Sequence, residues 1–139
     1  MEIINKKLRL HTKGNPDLIN ITPQLSTELK ASRFKRGSLT VFVVGSTAGV
    51  TTFEYEPGLK QDLIDLYEKL IPQSRHYHHD ATWGDANGFS HLRATLTRPS
   101  LTIPFEEGML LLGTWQQVVL AEFDHVPRDR EIIIQIIGE

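Results

Sequence analysis

The chain has 139 residues, a length that suits one domain, residues 1–139, with a hydrophobic core of its own. It contains no cysteine, which excludes disulfides, thiolate metal ligands and a cysteine nucleophile. Fifteen Lys and Arg against 17 Asp and Glu leave a formal net charge of −2, without the basic excess of a nucleic-acid-binding protein, so no nucleic-acid partner is expected.

The first residues, MEIINKKLRLHT, have no apolar run after their charges and do not resemble a secretory signal. No segment approaches the roughly 20 apolar residues that span a bilayer, so no membrane partner is expected either. Together with the absence of cysteine, these features predict a cytoplasmic protein.

The first two predicted elements are a strand and a helix. Residues 3–10 alternate loosely and predict the strand. The helix begins at Thr22, whose hydroxyl can cap backbone amides. It carries Leu25 and Leu29 inward and ends before Gly37.

Two strands and a second helix follow. Residues 38–45 and 50–55 are rich in β-branched and aromatic side chains and predict strands separated by a turn. Residues 59–71 repeat leucine at helical spacing and predict the helix. Its inward face is made of Leu59, Leu63, Leu66 and Leu70 and is widened by Ile64, Tyr67 and Ile71.

The second half of the chain is predicted to be almost entirely strand, in segments 91–98, 101–105, 109–112 with 115–124, and 131–137. Consecutive strands with short turns favour antiparallel pairing. The predicted fold class is therefore α+β, an antiparallel β-sandwich-like sheet with two packed helices. Segments 115–123 and 131–138 are apolar on both faces, so part of their cover is expected to come from other subunits of an oligomer.

Four of the six histidines lie within residues 75–91, beside acidic and amide side chains. Imidazole is a common metal ligand and changes its charge near neutral pH. If residues 91–97 form a strand, His91 opens its polar face, and His79 and His91 are the preferred pair for a metal. The alternative is a solvated surface loop whose histidines have no function.

A second signal comes from two carboxylates, Glu54 and Glu122. Glu122 is in line with Val118 and Leu120, on a strand face predicted to be buried. A buried carboxylate needs a cation, a metal or a proton. The alternative for each is a residue at a strand end that reaches water.

Two further segments offer polar groups to a ligand. In GSTAG, the hydroxyls of Ser46 and Thr47 are candidates to bind a phosphate. In GTWQQ, Thr114 and Gln116 are candidates to bind a polar ligand. Trp115 can stack on that ligand, although a place in the core is favoured for so large an aromatic side chain.

These motifs together closely resemble the YjbQ-like family of small proteins. The resemblance rests on Tyr-x-His, Asp-x-Asn and His between residues 77 and 91, then on SLTIP at 100–104 and LGTWQ at 112–116. It implies a β-sandwich-like α+β fold that assembles into a homotrimer. It also implies a polar site made of His79, Asp85, Asn87 and His91 with Thr114, Trp115 and Gln116, and an acidic strand end at Glu122 and Asp124.

Some members of that family are regarded as secondary thiamine-phosphate synthases. The resemblance therefore implies an enzyme that joins a pyrimidine diphosphate to a thiazole phosphate with a divalent metal, Mg²⁺ or Zn²⁺. His79, Asp85, Asn87, His91 and Glu122 are the candidate catalytic residues. Against this reaction stands a shortage of basic residues to bind phosphate, for which Arg93 and Arg98 are the only near candidates. The alternatives are another metal-dependent enzyme, such as a hydrolase with zinc on His79 and His91, and a non-catalytic module that binds a small anion or metabolite.

Overall fold

The computed structural model describes residues 1–14 and 16–139. Its strands form a five-stranded sheet, in the order β1-β8-β3-β5-β6, and a three-stranded sheet, in the order β2-β7-β4. All neighbouring strands are antiparallel. The strands are β1 (Glu2–His11), β2 (Asp17–Asn20), β3 (Arg36–Val44), β4 (Ala48–Glu54), β5 (Ser100–Glu106), β6 (Met109–Leu110), β7 (Gln116–Glu122) and β8 (Asp129–Gly138).

The helices within the described residues are α1 (Thr22–Ser32), α2 (Pro57–Leu70), α3 (His78–Trp83) and α4 (Gly88–Thr97). The predicted α+β class, with its antiparallel sheets, is confirmed, and both predicted helices are present as α1 and α2. Two further helices occupy residues 78–97, where the sequence predicted a loop and a strand. Across the described part of the chain, no helix combines the length and apolar character needed to cross a membrane.

The main core lies between the two sheets and α1. Period-2 alternation places Ile132, Ile134 and Ile136 of β8 in this core, and helical spacing brings Leu25 and Leu29 of α1 to the same cluster. These five side chains are at most 1% exposed. The inward positions of both leucines are as predicted.

Strand β7 is buried on both faces, as its sequence predicted. Val118 and Leu120 belong to the main core, and Val119 and Ala121 belong to a second cluster on the opposite face. Residues of α2 and α4 supply part of that second cluster, so the second face of β7 is covered from within the chain and not by another subunit.

The strand predicted at 91–98 is wrong, because residues 91–97 belong to α4 and Arg98 follows its last residue. Its buried residues are Gly88, Phe89, Ser90, Arg93 and Ala94, a spacing that fits one face of a helix. The side chains of Leu92 and Leu96, one turn apart, are exposed. Alternating Leu, Ala and Leu at 92, 94 and 96 fits a strand as well as a helix, and this ambiguity misled the prediction.

Three smaller predictions also need correction. Thr22 does not cap α1, because its hydroxyl accepts a hydrogen bond from Val118 N of β7 at 2.7 Å. Leu66 and Leu70 of α2 are exposed, whereas Ile64 and Tyr67, which were predicted to widen the inward face, do pack on the second cluster. Trp115 is 72% exposed and not in the core.

Glu122 and Arg130 join the two sheets through a buried ion pair. Arg130 Nε donates to Glu122 Oε2 at 2.6 Å, and Arg130 Nη2 donates to Glu122 Oε1. Thr12 Oγ1 donates to Oε2 at 2.8 Å and Asp124 N donates to Oε1 at 2.9 Å. The prediction that a buried carboxylate at position 122 needs a counter-charge is confirmed, and the cation is Arg130.

We expect Glu122→Gln to lower the free energy of unfolding by about 3–5 kcal/mol, because it leaves the Arg130 guanidinium buried without a counter-charge. Urea unfolding followed by circular dichroism measures the change. Glu54→Gln is the matched control: Glu54 is exposed at the end of β4, so its change should stay within about 0.5 kcal/mol. Equal losses in the two variants would contradict the assigned role of the ion pair.

Candidate functional site

Two short helices bring His79 and His91 together. His79 lies in α3 and His91 in the first turns of α4, and their ring centroids are 4.3 Å apart with an angle of 41° between the planes. The structure thus brings the two predicted histidines together, and their predicted role as metal ligands stays a prediction. The sequence argument placed His91 on a strand face, whereas it is the approach of two helices that creates the contact.

A cluster of donor atoms lies beside this pair. His79, Asp80 and Asp85 each present a side-chain nitrogen or oxygen, and these atoms all lie within 4.8 Å of one another. His79 Nδ1 is buried and has no hydrogen-bond partner among residues 1–14 and 16–139. It faces Asp85 Oδ1 at 3.7 Å, too far for a hydrogen bond. A buried nitrogen without a partner beside two carboxylates is suited to binding a cation.

Asp80 is one of the acidic side chains that the sequence offered as oxygen ligands beside the histidines, but it was not among the predicted site residues. It lies in the first turn of α3, where its Oδ2 accepts a hydrogen bond from Tyr77 N at 2.9 Å and its Oδ1 accepts one from Gly88 N at 2.8 Å. The bond from the Tyr77 backbone, followed by that from Gly88, lowers the pKa of Asp80 below its ordinary value of 3.8. The carboxylate is therefore ionised near neutral pH and ties the start of α4 to α3.

The turn before α4 holds Asp85. With its amide nitrogen facing that carboxylate, Asn87 donates to Asp85 Oδ1 at 3.0 Å and to Oδ2 at 3.2 Å. Ala86, between them, has a φ of 55° in the left-handed region, which costs a non-glycine residue about 1–2 kcal/mol. Because Asn87 is buried, its amide holds the exposed Asp85 carboxylate in one position. The predicted residues Asp85 and Asn87 thus lie at the histidine pair.

His91 also faces a cavity of about 330 Å³, lined by Gly45, Ser46, Ala48, His91, Ala94, Thr95, Arg98 and Pro99. Burial lowers the pKa of His91 below its ordinary value of 6.5, and the neighbouring His79 lowers it further. Asp85 and Asp124 act in the opposite direction. The imidazole is therefore neutral at pH 7 and can accept a proton or bind a metal. Ser46, predicted to bind substrate, is exposed beside it.

Thr47 and Glu122 belong to the buried network that joins the sheets. Thr47 Oγ1 accepts from Arg130 Nη2 at 2.7 Å and donates to Asp124 Oδ2 at 3.2 Å. Glu122 accepts four hydrogen bonds, which fill the acceptor sites of a carboxylate. In this arrangement both residues hold the strands that carry the site and present no free polar atom to a ligand.

Arg93 has a structural role, because it joins α4 to the end of α2. It is 2% exposed, and its guanidinium donates to Ile71 O at 2.8 and 3.0 Å and to Glu68 Oε2 at 2.8 Å. It also lies over the Phe89 ring, 5.0 Å from the centroid. Since its donors bind the end of α2, its suggested role in binding phosphate is wrong.

Gln116 lines a second cavity of about 400 Å³ between the edges of the two sheets. Its Nε2 donates to Thr52 Oγ1 at 3.0 Å, and its Oε1 accepts from Gly113 N at 3.0 Å. Thr114 and Trp115 are exposed in the turn before β7 and do not line that cavity. The LGTWQ motif therefore contributes one of its three predicted ligand-binding residues to a concave surface.

We expect the pKa of His91 to respond in opposite directions to changes at its two charged neighbours. His79 lowers the pKa of His91, so His79→Gln should raise that pKa. Asp85 raises the pKa of His91, so Asp85→Asn should lower it. Titration of the imidazole Cε1–H resonance by NMR measures both. Since the folded pKa is below 6.5, the linked stability is present above pH 6.5 and is lost as the pH falls through the folded pKa. Shifts of the same sign would contradict the assigned contacts.

Comparison with known proteins gives consistent matches. The family model described as "UPF0047 protein YjbQ-like" matches residues 6–139. The chain is 35% identical over 134 residues to a UPF0047 protein of Methanocaldococcus jannaschii, which covers 96% of this chain and 94% of that protein. It is 37% identical over 139 residues to a UPF0047 protein of Methanothermobacter thermautotrophicus, which covers 100% and 95%.

Solved structures match over nearly the whole chain. A YbjQ-like protein of unknown function from Sulfolobus solfataricus superposes with a TM-score of 0.94 at 31% identity and covers 99% of each chain. A hypothetical protein from Aeropyrum pernix superposes with a TM-score of 0.91 at 29% identity and covers 100% of each. The chain therefore belongs to the YjbQ-like UPF0047 family and has its α+β fold.

Proposed function

We propose that this protein is a divalent-metal-dependent enzyme that acts on phosphorylated small molecules. The observation that carries the proposal is the buried His79 Nδ1, which has no hydrogen-bond partner among the described residues and is grouped with Asp80 and Asp85. A bound cation would give His79 Nδ1 the partner that it lacks and would offset the negative charge of the two neighbouring carboxylates.

The donor set also indicates which metal fits. One imidazole nitrogen and two carboxylate oxygens, with a second imidazole 4.3 Å from the first, suit zinc or manganese better than magnesium, which prefers oxygen ligands and water. His79, Asp80 and Asp85 would hold the ion, and Asn87 would orient Asp85. When bound, such a metal neutralises charge on a phosphate or diphosphate group.

His91 is the proposed acid–base residue. It contacts the His79 ring, lines the 330 Å³ cavity, and its lowered pKa keeps it neutral at pH 7. A neutral imidazole at the boundary between the metal ligands and a cavity can take a proton from a substrate group in that cavity. Ser46 and Thr95 supply hydroxyls on the same cavity wall.

The finer proposal concerns the reaction, which is the formation of thiamine phosphate from a pyrimidine diphosphate and a thiazole phosphate. Its support is the family resemblance together with two adjacent cavities, of about 330 and 400 Å³, that share Arg98 as a lining residue. A reaction of two substrates needs two binding spaces that meet, and the leaving pyrophosphate needs a cation. A metal-dependent hydrolase would use the same ligands with water in place of the second substrate.

We expect metal-treated protein to form thiamine phosphate and pyrophosphate when both substrates are supplied. Chelation, His79→Ala and His91→Ala should each lower the rate by about 100-fold or more, because each removes the metal or the acid–base group. Product is measured by chromatography. His11→Ala is the matched control, because it removes another His–Asp pair, exposed at the end of β1 with 2.7 Å between His11 Nδ1 and Asp129 Oδ1.

Metal binding is measured separately by elemental analysis and calorimetry. Zinc or manganese should bind the wild type and the His11→Ala variant in equal amount, and His79→Ala and Asp85→Asn should lose affinity by about 10-fold or more. Metal binding without thiamine phosphate formation would reject the reaction and keep the metal site. Equal binding by all variants would reject the site itself.

We also propose that the protein is a homotrimer. The outer face of the five-stranded sheet carries an apolar row in which Ile3 is paired with Ile137, and Phe42 with Ile133. Ile3, on the edge strand β1, is 64% exposed, and Phe42, on the central strand β3, is 44% exposed. Cover by neighbouring subunits would remove this surface from water.

Sedimentation equilibrium should therefore give three times the chain mass of 15.8 kDa. Phe42→Asp should shift the protein toward the monomer, because it introduces a charge into the proposed contact. Leu66→Asp is the control, since Leu66 is exposed on α2, away from that sheet face. A monomeric wild type would contradict the proposal.

A further inference from the structure

Arg98 has a backbone conformation that normally requires glycine. Its φ is 88° and its ψ is 152°, and this region is almost closed to residues with a side chain. Arg98 is the residue that follows α4, immediately before Pro99 and β5. A side chain at this position costs free energy, so its presence calls for a reason.

The fold explains the backbone conformation and not the side chain. Arg98 N donates to Ala94 O at 2.8 Å to close α4, and Arg98 O accepts from Val50 N of β4 at 3.0 Å. Pro99 O accepts from Val43 N of β3 at 2.8 Å. Arg98 is therefore bonded to the three-stranded sheet and Pro99 to the five-stranded sheet. Glycine would make the same backbone hydrogen bonds without strain.

The guanidinium of Arg98 has no hydrogen bond or ion pair with any side chain that the structure describes. Arg98 is exposed and lines both the 330 and the 400 Å³ cavities. It is the one Lys, Arg, Asp or Glu among the described residues that line either cavity. The cavities therefore meet at a single fixed positive charge.

We propose that Arg98 is a specificity-determining residue that binds the phosphate group of a phosphate monoester, whose uncharged organic part occupies the larger cavity. The proposal rests on the proposed function only for the class of ligand. A guanidinium forms paired hydrogen bonds with phosphate oxygens, and the hydroxyls of Ser46 and Thr95 lie on the wall of the smaller cavity. The larger cavity offers hydroxyls and leucines, which fit a neutral group.

The experiment uses metal-free protein in EDTA, so that it is independent of the proposed metal site. Binding of inorganic phosphate and of phenyl phosphate is followed by NMR titration of backbone amides. Arg98→Gln keeps the strain and removes the charge, so phosphate affinity should fall about 10-fold or more while the melting temperature stays unchanged. Arg98→Gly removes both, so affinity should fall equally while the melting temperature rises by a few degrees, about 2–6 °C.

Arg33→Gly is the matched control. Arg33 is also an exposed arginine at positive φ, 65°, at the end of α1, and it does not line either cavity. The Arg33→Gly variant loses the same charge as the Arg98 variants, and its phosphate affinity should stay within two-fold of that of the wild type. Phenyl phosphate should bind more tightly than inorganic phosphate and shift amides of residues around Thr52 and Thr102.

Three results would overturn the proposal. The first is unchanged phosphate affinity in Arg98→Gln. The second is an equal loss in Arg33→Gly, which would show a general charge effect. The third is a change of oligomeric state in Arg98→Gln, which would show that the guanidinium serves a subunit contact. Loss of phosphate binding in the Arg98 variants, with no metal bound by the wild type, would keep this inference and reject the metal-dependent function.

Discussion

The buried ion pair between Glu122 and Arg130 is the constraint on which the rest of the fold depends. A carboxylate at the end of β7 can be buried at 0% exposure only because Arg130 of β8, Thr12 and the Asp124 amide fill its acceptor sites. Its loss leaves a charge in the interior, which costs more than the loss of most apolar contacts. The pair therefore fixes how the two sheets lie against each other.

The position of His91 follows from this constraint. Phe123 comes directly after Glu122, and its carbonyl accepts a hydrogen bond from Ser90 Oγ at 2.5 Å. Phe123 N in turn donates to Thr47 O at 3.0 Å, and Thr47 is bound to Arg130. Helix α4 is thus docked on the strand end that the ion pair holds. Glu122 and Thr47 influence the site through the placement of this helix and have no free polar atom there.

Local patterns were sufficient to predict most of the sheet. The apolar run 131–138 and the β-branched run at 38–45 became β8 and β3, because period-2 alternation and burial act on neighbouring residues. The strand prediction for residues 91–98 was wrong because the apolar residues there fit both the alternating period of a strand and the period of a helix. What selects the helix is long-range, namely the contact of Ser90 with Phe123 and of Arg93 with Ile71.

The candidate site was predictable in composition and not in geometry. The density of histidines indicated residues 75–91, and a strand assignment that the structure overturns selected His79 and His91, whose ring centroids lie 4.3 Å apart. Asp80 was not among the predicted site residues, because its significance comes from the backbone amides of Tyr77 and Gly88, and no sequence pattern shows which amides a carboxylate will contact. Arg98 was a candidate for phosphate binding from the sequence, but the strain at its position became evident only from its φ of 88°.

These features place opposite charges on the two sides of one neutral histidine. Asp80 and Asp85, next to His79, attract a cation, and Arg98, which shares the 330 Å³ cavity with His91, attracts an anion. A protonated His91 would repel a metal beside His79, so a pKa lowered by burial and by His79 favours binding of the cation. The same neutral ring leaves Arg98 as the fixed positive charge of that cavity, which in the proposed enzyme would orient a phosphate. In the proposed enzyme, the low pKa of His91 is therefore what allows a metal and an anionic substrate to bind next to each other without competing for the same group.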